Sequence, residues 1–175
     1  EVSTVTGALP NYGSGSHLFD TFCLESQVHF MPGTVYYATV DERAFSGGNG
    51  IIGDPISAYS EWMYERWLSG NPSAWNDINV SRALWFAEGE AGGAANAVYA
   101  SAVSALGAAA VNQNASSDTR VLNLWTLTWR NGGPGGGYWE ASDNQSQIMR
   151  VPVPEAALLG LVGLGALVAA QRRMS

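Results

Sequence analysis

The sequence predicts an α+β fold: an antiparallel β-sandwich or barrel-like sheet with an inserted three-helix segment, followed by a short C-terminal transmembrane helix. Three observations lead there. Stretches of β-branched and aromatic alternation lie towards both ends of residues 1–150, and stretches of helical period lie between them. That order, strands then helices then strands, suggests one sheet assembly with a helical insertion. Beyond it, Ala156 to Ala170 is an uncharged apolar run. No repeat of about 20–50 residues breaks the order.

Taken in order, Glu1 to Ser16 is polar, with Pro10-Asn11 marking a turn, and is expected to be a loose leader. In His17 to Phe30, Phe22, Leu24, Val28 and Phe30 share one parity, which predicts a strand or two short ones. Pro32-Gly33 is a turn signal. Thr34 to Val40 is β-branched and aromatic and is expected to pair with the preceding strand as a hairpin. Ser46 to Asp54 is a Gly-rich loop ending at Pro55.

The period then changes. Tyr59, Met63 and Trp67 recur at i, i+4 and i+8, predicting a helix over Ser57–Ser69 with Ser57 as N-cap and Gly70 as the stop. Asp77 is the expected cap of a second helix running to Glu88 and closed by Gly89, with Val80, Leu84 and Ala87 on its apolar face. Asn96 to Val111 predicts one Ala-rich helix with Val98, Ala102, Ala105 and Ala109 aligned. Asn112 to Thr119 is a polar loop. Val121 to Trp129 alternates and predicts a strand; Asn131 to Gly137 is a hairpin tip or flap; Gln147 to Val151 is a final short strand.

The chain has 175 residues and one cysteine, so no intramolecular disulfide forms. All eight cationic side chains are arginine. A chain without lysine excludes Schiff-base and P-loop chemistry and Lys–Asn isopeptide cross-links. With the two arginines and one acid of the last 25 residues set aside, six arginines face 14 acids, a net of −8. That excess offers no basic patch for phosphates, so nucleic acid is not an expected partner.

Residues Val151 to Ser175 form a separate segment: a Val-Pro-Val-Pro-Glu entry, the apolar run, and Arg172-Arg173 near the end. Fifteen helical residues reach about 22 Å, short of a bilayer core of about 30 Å. Pro152 and Pro154 break the helix start, and arginines behind a span hold topology. This layout suits a temporary membrane hold. It resembles the PEP-CTERM sorting signal of Gram-negative bacteria, in which a Val-Pro-x-Pro-like element, a Gly/Leu/Ala-rich span and terminal arginines follow one another. The matching residues are Val151, Pro152, Val153, Pro154, the span Ala156–Ala170, Arg172 and Arg173, with Val153 where the typical signal has Glu; alternatively Pro154-Glu155-Ala156 is the core, its second proline lost. The resemblance implies recognition by an exosortase at the inner membrane and then delivery to the cell surface or extracellular matrix. It also implies a signal peptide ahead of Glu1 in the precursor.

Two further stretches carry a resemblance. Phe22-Cys23-Leu24-Glu25 is an aromatic-Cys strand, and Val80-Ser81-Arg82-Ala83-Leu84-Trp85 ends in Ala-aliphatic-Trp. Together they resemble the thioester domains of bacterial surface proteins, across about residues 17–150. In those domains the cysteine bonds to a glutamine in a Thr-Gln-x-Ala-aliphatic-Trp motif, and the bond captures a nucleophile on a surface. Here Cys23 matches the cysteine, Val80 stands at the Thr position and Ser81 at the Gln position. Serine has no carboxamide, so this pairing makes no thioester, and a vestigial site is expected. A bond would need another glutamine: Gln27, Gln113, Gln145 or Gln147.

Other candidates have bland readings beside the sharp ones. Cys23 is most simply a small buried hydrophobe. His17 and His29 show no metal-ligand spacing, and a Cys–His pair with Cys23 would be the minimum for a thiol nucleophile. Glu88 and Glu90 end a helix and read as a solvated cap region. Asp20, Asp41, Glu42 and Asp54 form no calcium loop, so neither metal nor cofactor is expected. Trp62, Trp67, Trp85 and Trp125 fit core faces; Trp75, Trp129 and Trp139 lie near loops, where exposed aromatics suit carbohydrate or protein. The sequence therefore predicts an exported, non-enzymatic domain at 1–150 and a sorting signal at 151–175. Exopolysaccharide or surface proteins are the expected partners. A covalent adhesin or thiol-dependent activity through Cys23 and a non-covalent glycan-binding module are the alternatives.

Overall fold

The computed structural model describes residues 2–9, 13–28, 31, 34–45, 53–70, 75–115, 118–132 and 136–151, with the backbone alone for 2–19 and 143. The architecture is α+β, with an antiparallel sheet and three helices inserted between its strands. The sequence suggests a loose leader over Glu1–Ser16, but β1 (Val2–Leu9) and β2 (Gly13–Asp20) pair as an antiparallel ribbon. Val2, Thr4, Val5 and Thr6 supply the β-branched character for that strand.

The main sheet contains β3 (Phe22–Cys23), β4 (Tyr37–Asp41), β7 (Thr119–Asn131) and β8 (Gly137–Arg150), in the order β3-β8-β7-β4. The hairpin expected between the first two strands does not form. β4 pairs with β7 and β3 with β8, because the long β7–β8 hairpin takes the centre and each short strand lies on one flank. Among the described residues the four-stranded sheet is open, ending at β3 and β4. β5 (Arg43–Ala44) and β6 (Asp54–Pro55) form a separate small ladder; the Gly-rich loop between them lies largely outside the described residues. β8 is 14 residues long, well beyond the short strand expected at 147–151. Its first half pairs with β7 across the glycine tract, of which 133–135 lie outside the described residues.

Helix α1 (Ala58–Leu68) begins at the expected cap, the Ser57 hydroxyl accepting the Ser60 N–H. Helix α2 (Asp77–Ala87) is capped by Asn76 and not by Asp77, its side chain accepting the Asn79 N–H at 2.8 Å. Asp77 instead opens the first turn, where a carboxylate meets the positive helix end. Helix α3 (Ala97–Leu106) stops short of Val111. Gly107 takes φ +78°, a left-handed value that favours glycine, and a 3₁₀ turn follows at Ala108–Asn112.

Apolar residues of the three helices (Tyr59, Met63, Val80, Leu84, Val98, Ala102) bury one face of the sheet, covering Phe22, Leu24, Val121 and Ile148. Phe22 meets Trp67 edge to face at 4.8 Å. Trp75, expected near a loop rim, is buried and packs against Trp62 at 6.1 Å. On the other sheet face Leu122, Leu124, Met149 and Val151 cluster with Tyr36 and Val40. Val151 belongs to this core: it is buried and its N–H donates to the Asp118 carbonyl at 2.9 Å. Val151, the first residue of the expected C-terminal segment, thus packs with the described domain. Pro152, Val153, Pro154, Glu155, Arg172, Arg173 and the apolar run lie outside the described residues. Among the described residues no helix is long and apolar enough to cross a membrane.

Candidate functional site

β3 is only two residues long, and its position depends on side chains gripping its flanks. The Thr21 hydroxyl donates to the Ile148 carbonyl at 2.6 Å. The Leu24 N–H donates to Ser146 O at 2.9 Å, and Gln145 Nε2 donates to the Glu25 carbonyl at 2.8 Å. The buried Glu25 carboxylate accepts the Ser146 N–H. From the helical layer, Trp85 Nε1–H donates to the Cys23 carbonyl at 2.9 Å. Five contacts thus hold Cys23 in one register on β8.

In that register Cys23 stands directly opposite Gln147. Directly opposed residues of an antiparallel pair project to the same face, with Cβ atoms about 4.5–5.5 Å apart. Phe22 and Leu24 point into the helical layer, so Cys23 takes the other face. There the row across the sheet reads Cys23, Gln147, Leu122, Val40. Gln147 is fully buried and Cys23 half-buried.

The other candidates fall elsewhere. Ser81 sits on α2 with its hydroxyl donating back to the Asp77 carbonyl at 2.8 Å, an ordinary bond to the preceding turn. The residue of α2 that reaches Cys23 is Trp85, one turn further on. Gln27 and Gln113 are exposed, and Gln145 is spent on the Glu25 carbonyl. His29 lies outside the described residues, and of His17 only the backbone, opposite Val5, is described. The partner of Cys23 was hidden in the sequence because strand pairing, and not a local motif, selects it.

Glu88 and Glu90 are not simply solvated ends. The Glu88 carboxyl accepts the Ser57 N–H at 3.1 Å and the Ser57 hydroxyl at 2.8 Å, tying the end of α2 to the start of α1. Part of the residue's surface stays exposed, but its carboxyl is desolvated. Burial pushes its pKa above the ordinary carboxylate value, against the opposing pull of hydrogen bonds from Ser60 and Ser57. Glu90 accepts the Ser26 N–H at 3.4 Å. With Glu25, Asp54, Leu24, Ala44 and Ile56 these two line a cavity of about 10 Å³, room for about one water. Among the described residues no group of three or more His, Cys, Asp or Glu could hold a metal ion.

No known protein family, curated protein or solved structure matches this chain. Function must therefore be argued from the chemistry of the site. A thiol beside a carboxamide, in a sheet covered on both faces, supports one reaction that neither group performs alone. In that reaction the thiol sulfur would attack the carboxamide carbon, the C–N bond would break, the thiol proton would leave with the nitrogen as ammonia, and an S–C bond would join the strands. The product is an acyl electrophile that an amine or hydroxyl can open, returning the thiol.

Proposed function

We propose that the chain is an exported bacterial surface or extracellular-matrix protein whose domain captures a nucleophile covalently through an internal Cys23–Gln147 thioester. Capture is a single event, so the domain is not an enzyme. The observation that carries the reading is the direct cross-strand opposition of Cys23 and the buried Gln147. It answers the objection raised by Ser81, because β8 sets a carboxamide residue opposite Cys23 in the ladder. Burial supports the chemistry as well, since a dry site protects an acyl electrophile from water.

Intact mass of the folded protein tests this. A thioester appears as a deficit of one ammonia, reversed on adding methylamine as the adduct forms, and absent from Cys23→Ala and Gln147→Ala. A wild-type mass without the deficit would leave a vestigial site.

Delivery rests on the C-terminal segment: two prolines for access, a short span for retention and arginines for topology. On this reading an exosortase processes it at the inner membrane. In the native host the recovered mass should end between Pro152 and Ala156, and deleting Pro152–Ser175 should leave the domain in the periplasm. A mature protein that keeps the whole segment would make it a plain anchor.

A further inference from the structure

Beyond Trp125 the central hairpin leaves the sheet. β4 makes its last pair at Tyr37–Trp125 and β3 pairs only with Gln147 and Ile148. Residues 126–131 and 137–142 therefore continue as a two-stranded ribbon, with no further strand on either edge among the described residues. Register divides its side chains. Leu127, Trp129, Trp139 and Ala141 share one face, and Thr128, Arg130, Tyr138 and Glu140 share the other. Trp129 is 49% and Trp139 62% exposed, their rings meeting edge to face at 5.2 Å. An exposed indole pair on a projecting ribbon has no role in the core or in the thiol site.

We propose that this apolar face binds a short stretch of neutral polysaccharide, a site separate from Cys23. Three observations select that occupant. The first is area: covering a tryptophan buries about 150–250 Å², so the exposed fractions leave on the order of 250 Å², far below the ~800 Å² per partner of a stable protein interface. That suits a few sugar rings. The second is charge. Leu127, Trp129, Trp139 and Ala141 carry no charge, Arg130 and Glu140 on the reverse pair at 2.6 Å, and the chain is net −7 without lysine. An anionic polymer or lipid surface would be repelled. The third is chemistry. An aromatic face is the negative side of the ring quadrupole, which attracts the C–H faces of a pyranose. The main-chain donors and acceptors left open along the ribbon edges can meet its hydroxyls. A bilayer is a poor fit in position too: the chain departs towards its C-terminal run about 40 Å from Trp139, at ~3.3 Å per residue along β8.

The test uses the full-length chain in detergent, run on native gels containing dextran, mannan or a β-1,3-glucan, with alginate as the acidic control, and followed by tryptophan fluorescence. At least one neutral polymer should retard the protein and shift its emission. Trp139→Ala should weaken that binding at least tenfold, Trp139→Tyr less, with both variants melting within a few degrees of the parent. Cys23→Ala should bind as the parent does, which separates this site from the thiol. Absence of binding to all three neutral polymers, equal or stronger binding to alginate, or a Trp139→Ala variant that binds as the parent does would each overturn the proposal. So would a concentration-dependent dimer dissolved by Trp139→Ala, because it would make the face a protein interface.

Discussion

The two ends of the β7–β8 hairpin are built from the same pair of strands and live in different solvents. At the inner end, residues 119–124 and 145–150 are flanked by β3 and β4 and covered on both faces; Val121, Leu122, Ile148 and Met149 are at most 1% exposed. At the outer end the same strands run on alone, with Trp129, Tyr138 and Trp139 in water. A bulge marks the border: between the Asn123–Ser146 and Trp125–Asp143 pairs, β8 has one residue more than β7. Bulges bend and twist a ladder. The comparison teaches that strand pairing alone does not make a site. The dry end suits bond chemistry and the wet end suits contact.

The largest effect should come from breaking the dry end. Ile148 is fully buried between β3 and β7 under the helices. Ile148→Ala should cost about 2–5 kcal/mol, whereas Trp139→Ala should cost well under half of that, both read by urea denaturation. Equal losses would mean that the ribbon is part of the core.

Next is the bond that crosses from helix to site. Trp85→Phe keeps an aromatic ring but leaves the Cys23 carbonyl without its 2.9 Å donor. Removing one donor from a part-buried carbonyl costs about 1–3 kcal/mol. Because it acts on β3, the variant should also lower the fraction of molecules showing the ammonia deficit. Destabilisation with the deficit intact would make Trp85 a packing residue only.

Glu88 gives the helical layer a pH dependence. Its folded pKa is raised, so from the ordinary value of 4.5 upwards the unfolded chain loses its proton first. Stability therefore falls as pH climbs through that window, and the penalty is complete above the folded pKa. Glu88→Gln keeps an oxygen to accept from Ser57 and carries no charge. It should match the parent at pH 4 and exceed it by a growing margin towards pH 8 in thermal melts. A margin that shrinks with pH would show that the carboxylate is stabilised where it lies.

The difference between the ends also explains what could be read from sequence. Helical period placed α1 and α2 closely because Tyr59, Met63, Val80 and Leu84 repeat along one chain segment. The alternation of Val121–Trp129 announced a strand but gave no hint of its partners. Pairing of β3 with β8 joins residues more than 120 positions apart, and such contacts leave no local signal. Hence Cys23 was visible as a candidate and Gln147 was one of four candidate glutamines. Ser81 drew attention through a local motif, yet its hydroxyl bonds only within its own helix. Trp129 and Trp139 were legible as exposed because glycines crowd the turn between them; Trp75 was not, since a ring beside a loop can still fold inwards onto Trp62.

The smallest effect should come from the ribbon's own ion pair, and it sharpens the comparison most cheaply. Arg130 Nε and Glu140 Oε2 lie 2.6 Å apart, a short contact, but their side chains are 56% and 42% exposed. Water and salt screen such pairs, and ordering two long side chains offsets much of the attraction, so exposed pairs contribute about 0–1 kcal/mol. Arg130→Ala should therefore lower the unfolding free energy by less than about 0.5 kcal/mol at low salt. In 1 M salt, where the Debye length is about 3 Å, the difference should vanish. A loss of more than about 2 kcal/mol that persists in high salt would mean that the pair is holding buried structure. The outer half of the hairpin would then be a second core, and its tryptophans would have to be explained by packing.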